Sequence, residues 1–426
     1  MNERRAWRAA VGWVLGLLVV TVVTGLVAGV ALAQEPVELT VMTWMYQSNS
    51  PQWVEMKEAF EKEHPHIRLT LISGGREEQA DKLLLMATGG SAVDVVWTDA
   101  AMTNEYVLNG LLEDLGPYYE ASGVAMEEYV PAGFDEHTYG GKLYAFPSTM
   151  GTYFFYYNKD IFDRRGVAYP TADWDREEFL DIVRRLRDPV AGIYAVDNRN
   201  WVTTFLPWLW AHGGDWFTPD RHRSLLDSDI AIEVQQFLAD LIHVYDVHIP
   251  YPDDTDYFSA GQLAMLHSST WDLQGTELDP PKWTFRWSVV PPPRGPVGQF
   301  TVVQTNGWAI PKMSQHKDEA WTFIRWFNGP EGQRILARHA EFPAHLPTAQ
   351  AESFLHLDDE TRHSIFAAVM MGRPFPVNPA WQDSLAIAWD LQGEALAGTK
   401  DVRVALTQAA EQINARIADL ERHIDW

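Results

Sequence analysis

The sequence predicts an α/β fold built on an open, doubly wound sheet, and three observations predict it. From residue 37 onward, short β-rich runs alternate with segments of helical periodicity, the pattern of strands in one sheet with helices on its faces. The run at 93–97 is almost wholly apolar, as a parallel strand buried on both faces must be. The chain has 426 residues, 46% hydrophobic and 21% charged, which is a globular composition with room for two or three domains.

The elements follow in order. VELTVMTW (37–44) is the first strand. Residues 51–64 carry Trp53, Met56, Ala59 and Phe60 at helical spacing, and IRLTLI (67–72) is the second strand. Residues 79–88 are helical, with Gly89-Gly90 as the stop, and 93–97 is the third strand. A helix over 104–112 follows. Two strand-like pieces, ending near Phe146 and beginning near Tyr153, meet through the neutral joint Pro147 to Gly151. Helices are predicted over 177–186, with Asp175 and Glu178 as a capping box, and over 319–327, 384–396 and 402–420. Strands are predicted over 263–266 and 283–290. There is no internal repeat, low-complexity tract or long linker.

Composition excludes several functions. There is no cysteine, so disulfides, thiol catalysis, iron–sulfur clusters and cysteine zinc sites are out. A net charge of −25 argues against nucleic acid or an anionic membrane as partner. Nineteen tryptophans are many. A core can use them, but so can a cleft that collects flat aromatic faces. The N-terminus reads as an export signal: MNERRAWR is basic, residues 9–34 are uncharged, and Ala31-Leu32-Ala33 is a cleavage-type ending. The expected cut follows Ala33, but the apolar run is long enough to be retained as an anchor. A lipid anchor needs a cysteine, and Arg4-Arg5 lies in flanks that fit twin-arginine export poorly.

The ordered series VMTW, PHIRLTLISGG, DVVWTDAA and NGLLEDLGPYY resembles the N-terminal lobe of the family 1 extracellular solute-binding proteins, the sugar-capturing subunits of ABC importers, of which maltose-binding protein is the best known. GKLYAFPSTMGTYFFYYNKDIF (141–162) is similar to that family's signature, ending in Tyr157-Asn158-Lys159-Asp160. It departs at Ser148, Phe154 and Arg164. GQLAMLHSSTW (261–271), NGWAIPKMSQHKDEAWTFIRWF (306–327) and GRPFPVNPAW (372–381) extend the likeness through nearly the whole chain after the leader. The resemblance implies two lobes, each an open sheet flanked by helices, joined by a hinge. Residues 37–147 and 291–338 would form the first lobe, and 148–290 and 339–426 the second. The joint at 147–151 would be a hinge segment absorbing a change of φ/ψ. The implied function is capture of a mono- to oligosaccharide or related polyol in the interlobe cleft. The partners would be the membrane permease subunits, the chain working as a monomer without a cofactor.

Sugars offer C–H faces to indoles and hydroxyl rims to carboxylates and amides. Trp271, after a strand and a Ser-Ser-Thr step, is the first ligand-binding candidate, since the family often places a stacking aromatic there. Trp44 and Tyr46, Asp99, Asn200 and Trp201, Trp308, Trp381, Tyr153 and Glu341 complete the set. Each has a competing role: core for the aromatics, helix capping for Asp99, surface charge for Glu341. Trp208, Trp210 and Trp216 read more as core than site. No zinc-protease, nucleophile-elbow or Walker motif is present. The acidic cluster Asp253, Asp254, Asp256 lacks EF-hand spacing. Two alternatives stay open: a secreted carbohydrate-active hydrolase using an unmarked carboxylate pair, and an iron- or other solute-binding protein of the same fold using paired tyrosines such as Tyr118-Tyr119 or Tyr156-Tyr157.

Overall fold

The computed structural model describes residues 35–89, 93–198, 200–253, 255–273 and 283–422, so the leader 1–33 lies outside the described residues. The N-terminal part runs β1 (Val37–Thr43), α1 (Pro51–Glu63), β2 (Ile67–Ser73), α2 (Arg76–Gly89), β3 (Val95–Asp99), α3 (Ala100–Leu108), α4 (Gly116–Ser122) and α5 (Pro131–Glu136). The small pair β4 (Thr138–Tyr139) and β5 (Lys142–Leu143) leads into the long β6 (Phe146–Asn158). Then come α6 (Lys159–Arg165), α7 (Arg176–Leu186), β7 (Tyr194–Asp197), α8 (Val202–Ala211), α9 (Asp229–His243), β8 (Leu263–Ser269), β9 (Trp287–Val290) and β10 (Thr301–Ala309). The chain ends through α10 (Lys317–Asn328), α11 (Pro330–Arg338), α12 (Leu346–Glu352), α13 (Asp359–Met370), β11 (Gly372–Arg373), α14 (Trp381–Leu396) and α15 (Val402–Leu420).

The strands join in the order β2-β1-β3-β10-β6-β8-β7, with β11 on β10 and β9 on β6. The β2-β1-β3 half is parallel, as the strand–helix alternation requires. β10 runs antiparallel to β3 and β6, and β6 antiparallel to β8 and β9, and these two strands cross from one half to the other, with the short β11 parallel to β10. Side-chain alternation along β6 feeds two cores. Tyr153, Phe155 and Tyr157 join Phe179 of α7, Phe205 of α8, Leu238 of α9 and Ile413 of α15. Phe154 and Tyr156 face the cluster that holds β1, Phe60 of α1, Phe323 of α10 and Leu336 of α11.

Local chemistry places the ends of several elements. Asp175 accepts from the backbone N–H groups of Glu177 and Glu178 at 2.9 and 3.0 Å, and Glu178 accepts from Asp175 N at 3.0 Å, a complete capping box at the start of α7. Phe179, Val183 and Leu186 then bury one face. The last helix spans the residues its periodicity predicts. Two expectations change. The helix expected over 104–112 begins at Ala100, because Asp99 caps it, and the strand expected over 283–290 is confined to Trp287–Val290.

The joint at 147–151 is not a loop between two strands. It is the first half of β6, extended and buried throughout. Its residues are neutral because their side chains are buried on the sheet faces, and both strand edges are occupied as well: β10 lies on one, and the segment 342–344 on the other. Met150 N donates to Phe342 O at 2.8 Å and Ala344 N to Ser148 O at 2.9 Å. A charged side chain in that position would be buried without a partner.

Candidate functional site

The site begins at Gly151. Beyond the 342–344 segment, the same edge of β6 is taken by β8, and Thr152 N donates to the Thr270 hydroxyl at 3.3 Å. After β8 the chain makes a single 3-10 turn, Thr270–Asp272, with the Ser269 hydroxyl accepting from Trp271 N. The indole of Trp271 folds back over Gly151. A Cβ on that glycine would lie 2.9 Å from the Trp271 ring, so the seat exists only because the residue has no side chain. The ring also meets Tyr153 edge-on, with centroids 6.2 Å apart, and still leaves 49% of the residue exposed. Exposing half an indole at a strand end, pinned by backbone contacts, is the geometry of a surface meant to be covered.

Next to it lies a cavity of about 320 Å³, walled by Tyr153, Trp201, Phe375, Gln304, Asn200 and Trp389. Trp201 and Trp389 are 36% and 50% exposed. The Tyr153 hydroxyl donates to Gln304 Oε1 at 3.3 Å, joining β6 to β10 across the cavity floor. Asn200 is more constrained: its amide nitrogen donates to Trp389 O at 3.0 Å and to the Tyr251 hydroxyl at 3.1 Å, so it shapes the wall. Trp271, Tyr153, Trp201 and Asn200 are thus brought together.

On the other side of the crossing strands, Asp99 caps α3 by accepting from Met102 N at 2.8 Å, and Arg76 pairs with the same carboxylate at 2.6 Å. Arg76 also stands 6.0 Å from the ring of the partly buried Trp44. Asp99 is therefore neutralised and largely committed. Tyr46 is buried, stacked on Trp53 at 6.3 Å, and its hydroxyl has no hydrogen-bond partner among the described residues. Burial, reinforced by the charge of Glu341, pushes that hydroxyl well above its ordinary range. Glu341 itself is partly buried, and burial pushes its carboxyl up to about 7.

Two predicted site residues stand elsewhere. Trp308 is 0% exposed, 4.6 Å from Trp97 and packed on Phe323 and Phe327; α10 covers the ring and leaves no face for a ligand. Trp381 is 2% exposed, wedged against Trp216 and Phe375. It backs the cavity wall rather than facing it. Trp208, Trp210 and Trp216 are buried, as their clustering suggested. Sequence reasoning missed Trp389, Gln304, Phe375 and Arg76. The signal for Trp389 was available: it lies off the stripe Ser384, Ala388, Leu391, Ala395 that α14 buries.

A buried polar chain ties this region to the crossing strands. Glu136 accepts from Thr305 N at 2.7 Å and the Thr305 hydroxyl at 2.8 Å, and the Thr305 hydroxyl reaches His137 Nε2 at 3.3 Å. Burial pushes Glu136 up to about 8 and His137 down to about 3, so both are neutral at pH 7. The Tyr156 hydroxyl donates to Ser269 O at 2.6 Å from inside the strand. Asp253 accepts from Thr255 N and the Tyr257 hydroxyl, both at 2.8 Å, closing a turn, while Asp254 lies outside the described residues. Among the described residues no group of three or more His, Asp or Glu could hold a metal ion, and no helix is long and apolar enough to cross a membrane.

Two sheet halves joined through crossing strands, with an aromatic cavity beside the crossing, define the class of two-lobed ligand-capturing proteins. Residues 46–334 match the sequence profile of the bacterial extracellular solute-binding proteins, and the chain belongs to that family. A binding protein of Brucella abortus is 23% identical over 436 residues, covering 96% of this chain and 98% of that one. The erythritol/L-threitol-binding protein of Mycolicibacterium smegmatis is 25% identical over 283 residues, 58% of this chain and 57% of that one. The fold is shared with an ABC substrate-binding protein of Listeria monocytogenes solved in complex with cycloalternan. Its TM-score is 0.77 at 23% identity, covering 90% of this chain and 100% of that one.

Proposed function

We propose that the protein is the extracytoplasmic solute-binding component of an ABC importer. It captures a sugar, from mono- to oligosaccharide, or a related polyol, and releases it unchanged to membrane permease subunits. The observation that carries this reading is the Trp271 indole, held half-open over Gly151 beside a cavity walled by Trp201, Trp389 and Tyr153. Flat apolar faces with a few amides and hydroxyls at their edges match the C–H faces and hydroxyl rims of a pyranose. The carbohydrate and polyol ligands of the relatives support the same class. The lobes would divide near Pro147 on β6, between β9 and β10, and after α11, with β6 and β10 bending as the lobes close. Residues 1–33 would direct export.

The reading is tested by a thermal-shift screen of neutral sugars and polyols. A ligand at a hundredfold excess over Kd adds about 2.7 kcal/mol to the folded state, several degrees in midpoint. Hits should be recovered chemically intact after long incubation. Turnover by pure protein, abolished by replacing one carboxylate, would move the reading to a hydrolase. A stabilising response to ferric iron and to no sugar would move it to a metal-capturing protein.

A further inference from the structure

The cavity beside Trp271 is poorly suited to the hydroxyls of a sugar. The surface it presents is almost wholly apolar, and none of the described residues that line it is charged. Val202, Leu385 and Ala388 complete the wall around the rings of Trp201, Trp389 and Phe375. The polar groups of the wall are spent on protein or enclosed. Asn200 gives its amide to Trp389 O and the Tyr251 hydroxyl, the Tyr153 hydroxyl goes to Gln304 Oε1, and Gln392 Nε2 donates to Gln235 Oε1 at 3.1 Å. The Thr203 hydroxyl oxygen and the Trp216 indole nitrogen have no exposed surface. The turn that carries Trp271 is polar by contrast: the Ser268 hydroxyl donates to Asp272, and the Thr270 hydroxyl accepts from Thr152 N. Tyr153 belongs to both places, lining the cavity and meeting Trp271 edge-on. Trp201, Trp271 and Trp389 are also the three most exposed tryptophans among the described residues.

A pyranose carries a hydroxyl on most of its carbons, and each one enclosed without a partner costs free energy. Its place is the polar turn at Trp271, where one C–H face can stack on the indole while the rim keeps its hydrogen bonds. The cavity favours the opposite chemistry, a group without a polar rim. Its volume of about 320 Å³ is ample for one aromatic ring, since an apolar cavity of about 150 Å³ holds benzene. Aromatic walls offer such a ring offset and edge-to-face contacts. We propose that the ligand is an aryl glycoside: the sugar ring lies on Trp271, and the aromatic aglycone enters the cavity past Tyr153 and rests against Trp201 and Trp389. The inference rests on the sugar-binding reading above and narrows it. It makes the cavity an aglycone site, selective for what the sugar is attached to.

The test compares the methyl and phenyl β-glycosides of glucose, galactose and xylose, with cellobiose as the glucoside whose aglycone is a second sugar. Affinities are measured on the wild type, Trp389→Ala, Trp389→Leu and Trp271→Ala, each first shown to be folded by its unfolding midpoint. Where the sugar fits, phenyl should bind at least about tenfold tighter than methyl, the scale for enclosing an aromatic ring, and cellobiose should fall behind phenyl glucoside. Trp389→Ala should bring phenyl to within about threefold of methyl, with Trp389→Leu between alanine and wild type. Trp271→Ala should weaken methyl and phenyl glycosides by a similar factor and keep their ratio. Methyl glycosides or cellobiose that bind as well as phenyl glycosides overturn this inference and leave the sugar reading standing, as does a phenyl preference undiminished in both Trp389 variants. Silence of every probe at millimolar concentration overturns it too, because an aryl group entering an apolar cavity should register on any sugar; the thermal-shift screen then decides the sugar reading by itself.

Discussion

Replacing Trp271 by alanine separates a cleft tryptophan from a core one. A tryptophan side chain buries about 150–250 Å² when fully enclosed. With 49% of the residue exposed, about 100 Å² is left for a ligand to cover. Covering half to all of that area at about 25 cal/mol per Å² is worth ~1–2.5 kcal/mol. Trp271→Ala should therefore weaken sugar binding by about 5- to 60-fold. The fold should suffer little. The ring touches the Gly151 backbone and the edge of Tyr153, and neither contact closes a core layer. A loss of ~1 kcal/mol is expected, against ~3–5 kcal/mol for a fully buried tryptophan. Calorimetric titration with the best sugar from the thermal-shift screen gives the first number, and urea unfolding of the same preparation the second. Trp271→Phe, which keeps part of the face, should fall between wild type and alanine. A mutant that loses more than about 3 kcal/mol of stability yet binds normally while folded would refute the assignment and make Trp271 a core residue.

Trp308→Ala should show the reverse pattern, because its ring is enclosed by Trp97, Phe323 and Phe327. A stability loss of ~3–5 kcal/mol, with affinity unchanged in the folded fraction, is the expected result; intact stability with lost binding would contradict the burial argument. Gly151→Ala places a methyl 2.9 Å from the Trp271 ring, so affinity should drop toward that of Trp271→Ala, and a variant binding as wild type would show that the indole does not need this seat. Glu136 is buried with its carboxyl raised to about 8. The unfolded state ionises near the usual value while the folded state holds its proton, so stability relative to Glu136→Gln is fully present below about pH 4.5 and declines until the pH passes the folded value, by up to a few kcal/mol. Unfolding curves of the two proteins from pH 5 to 9 check it, and a constant difference would reject the shift. Small-angle scattering should give a smaller radius of gyration with saturating sugar; an unchanged radius would remove lobe closure from the mechanism.

Much of this was legible because it is local. The capping box at Asp175 needs only residues three apart, and the strand–helix alternation from Val37 to Asp99 needs only period and composition. The two-lobed plan came from resemblance, since nothing in the periodicity says that β6 must cross between sheet halves. The site was half legible for the same reason. A strand end located Trp271, the joint located Tyr153 and the tryptophan-rich stretch 198–217 located Trp201, but an indole beside a strand reads identically whether it meets ligand, as Trp271 can, or a helix, as Trp308 does under α10. That difference depends on where residues 317–328 pack. The joint at 147–151 makes the point most sharply. Its uncharged residues and glycine suggested backbone freedom, but the same composition is what a strand with every side chain buried requires. Gly151 is not in a left-handed conformation. Its missing side chain makes room for a ring from far along the chain, and a sequence records such a fit only as an isolated glycine. Space, rather than conformation, is what that glycine supplies, which is why a single methyl group there should cost binding before it costs the fold.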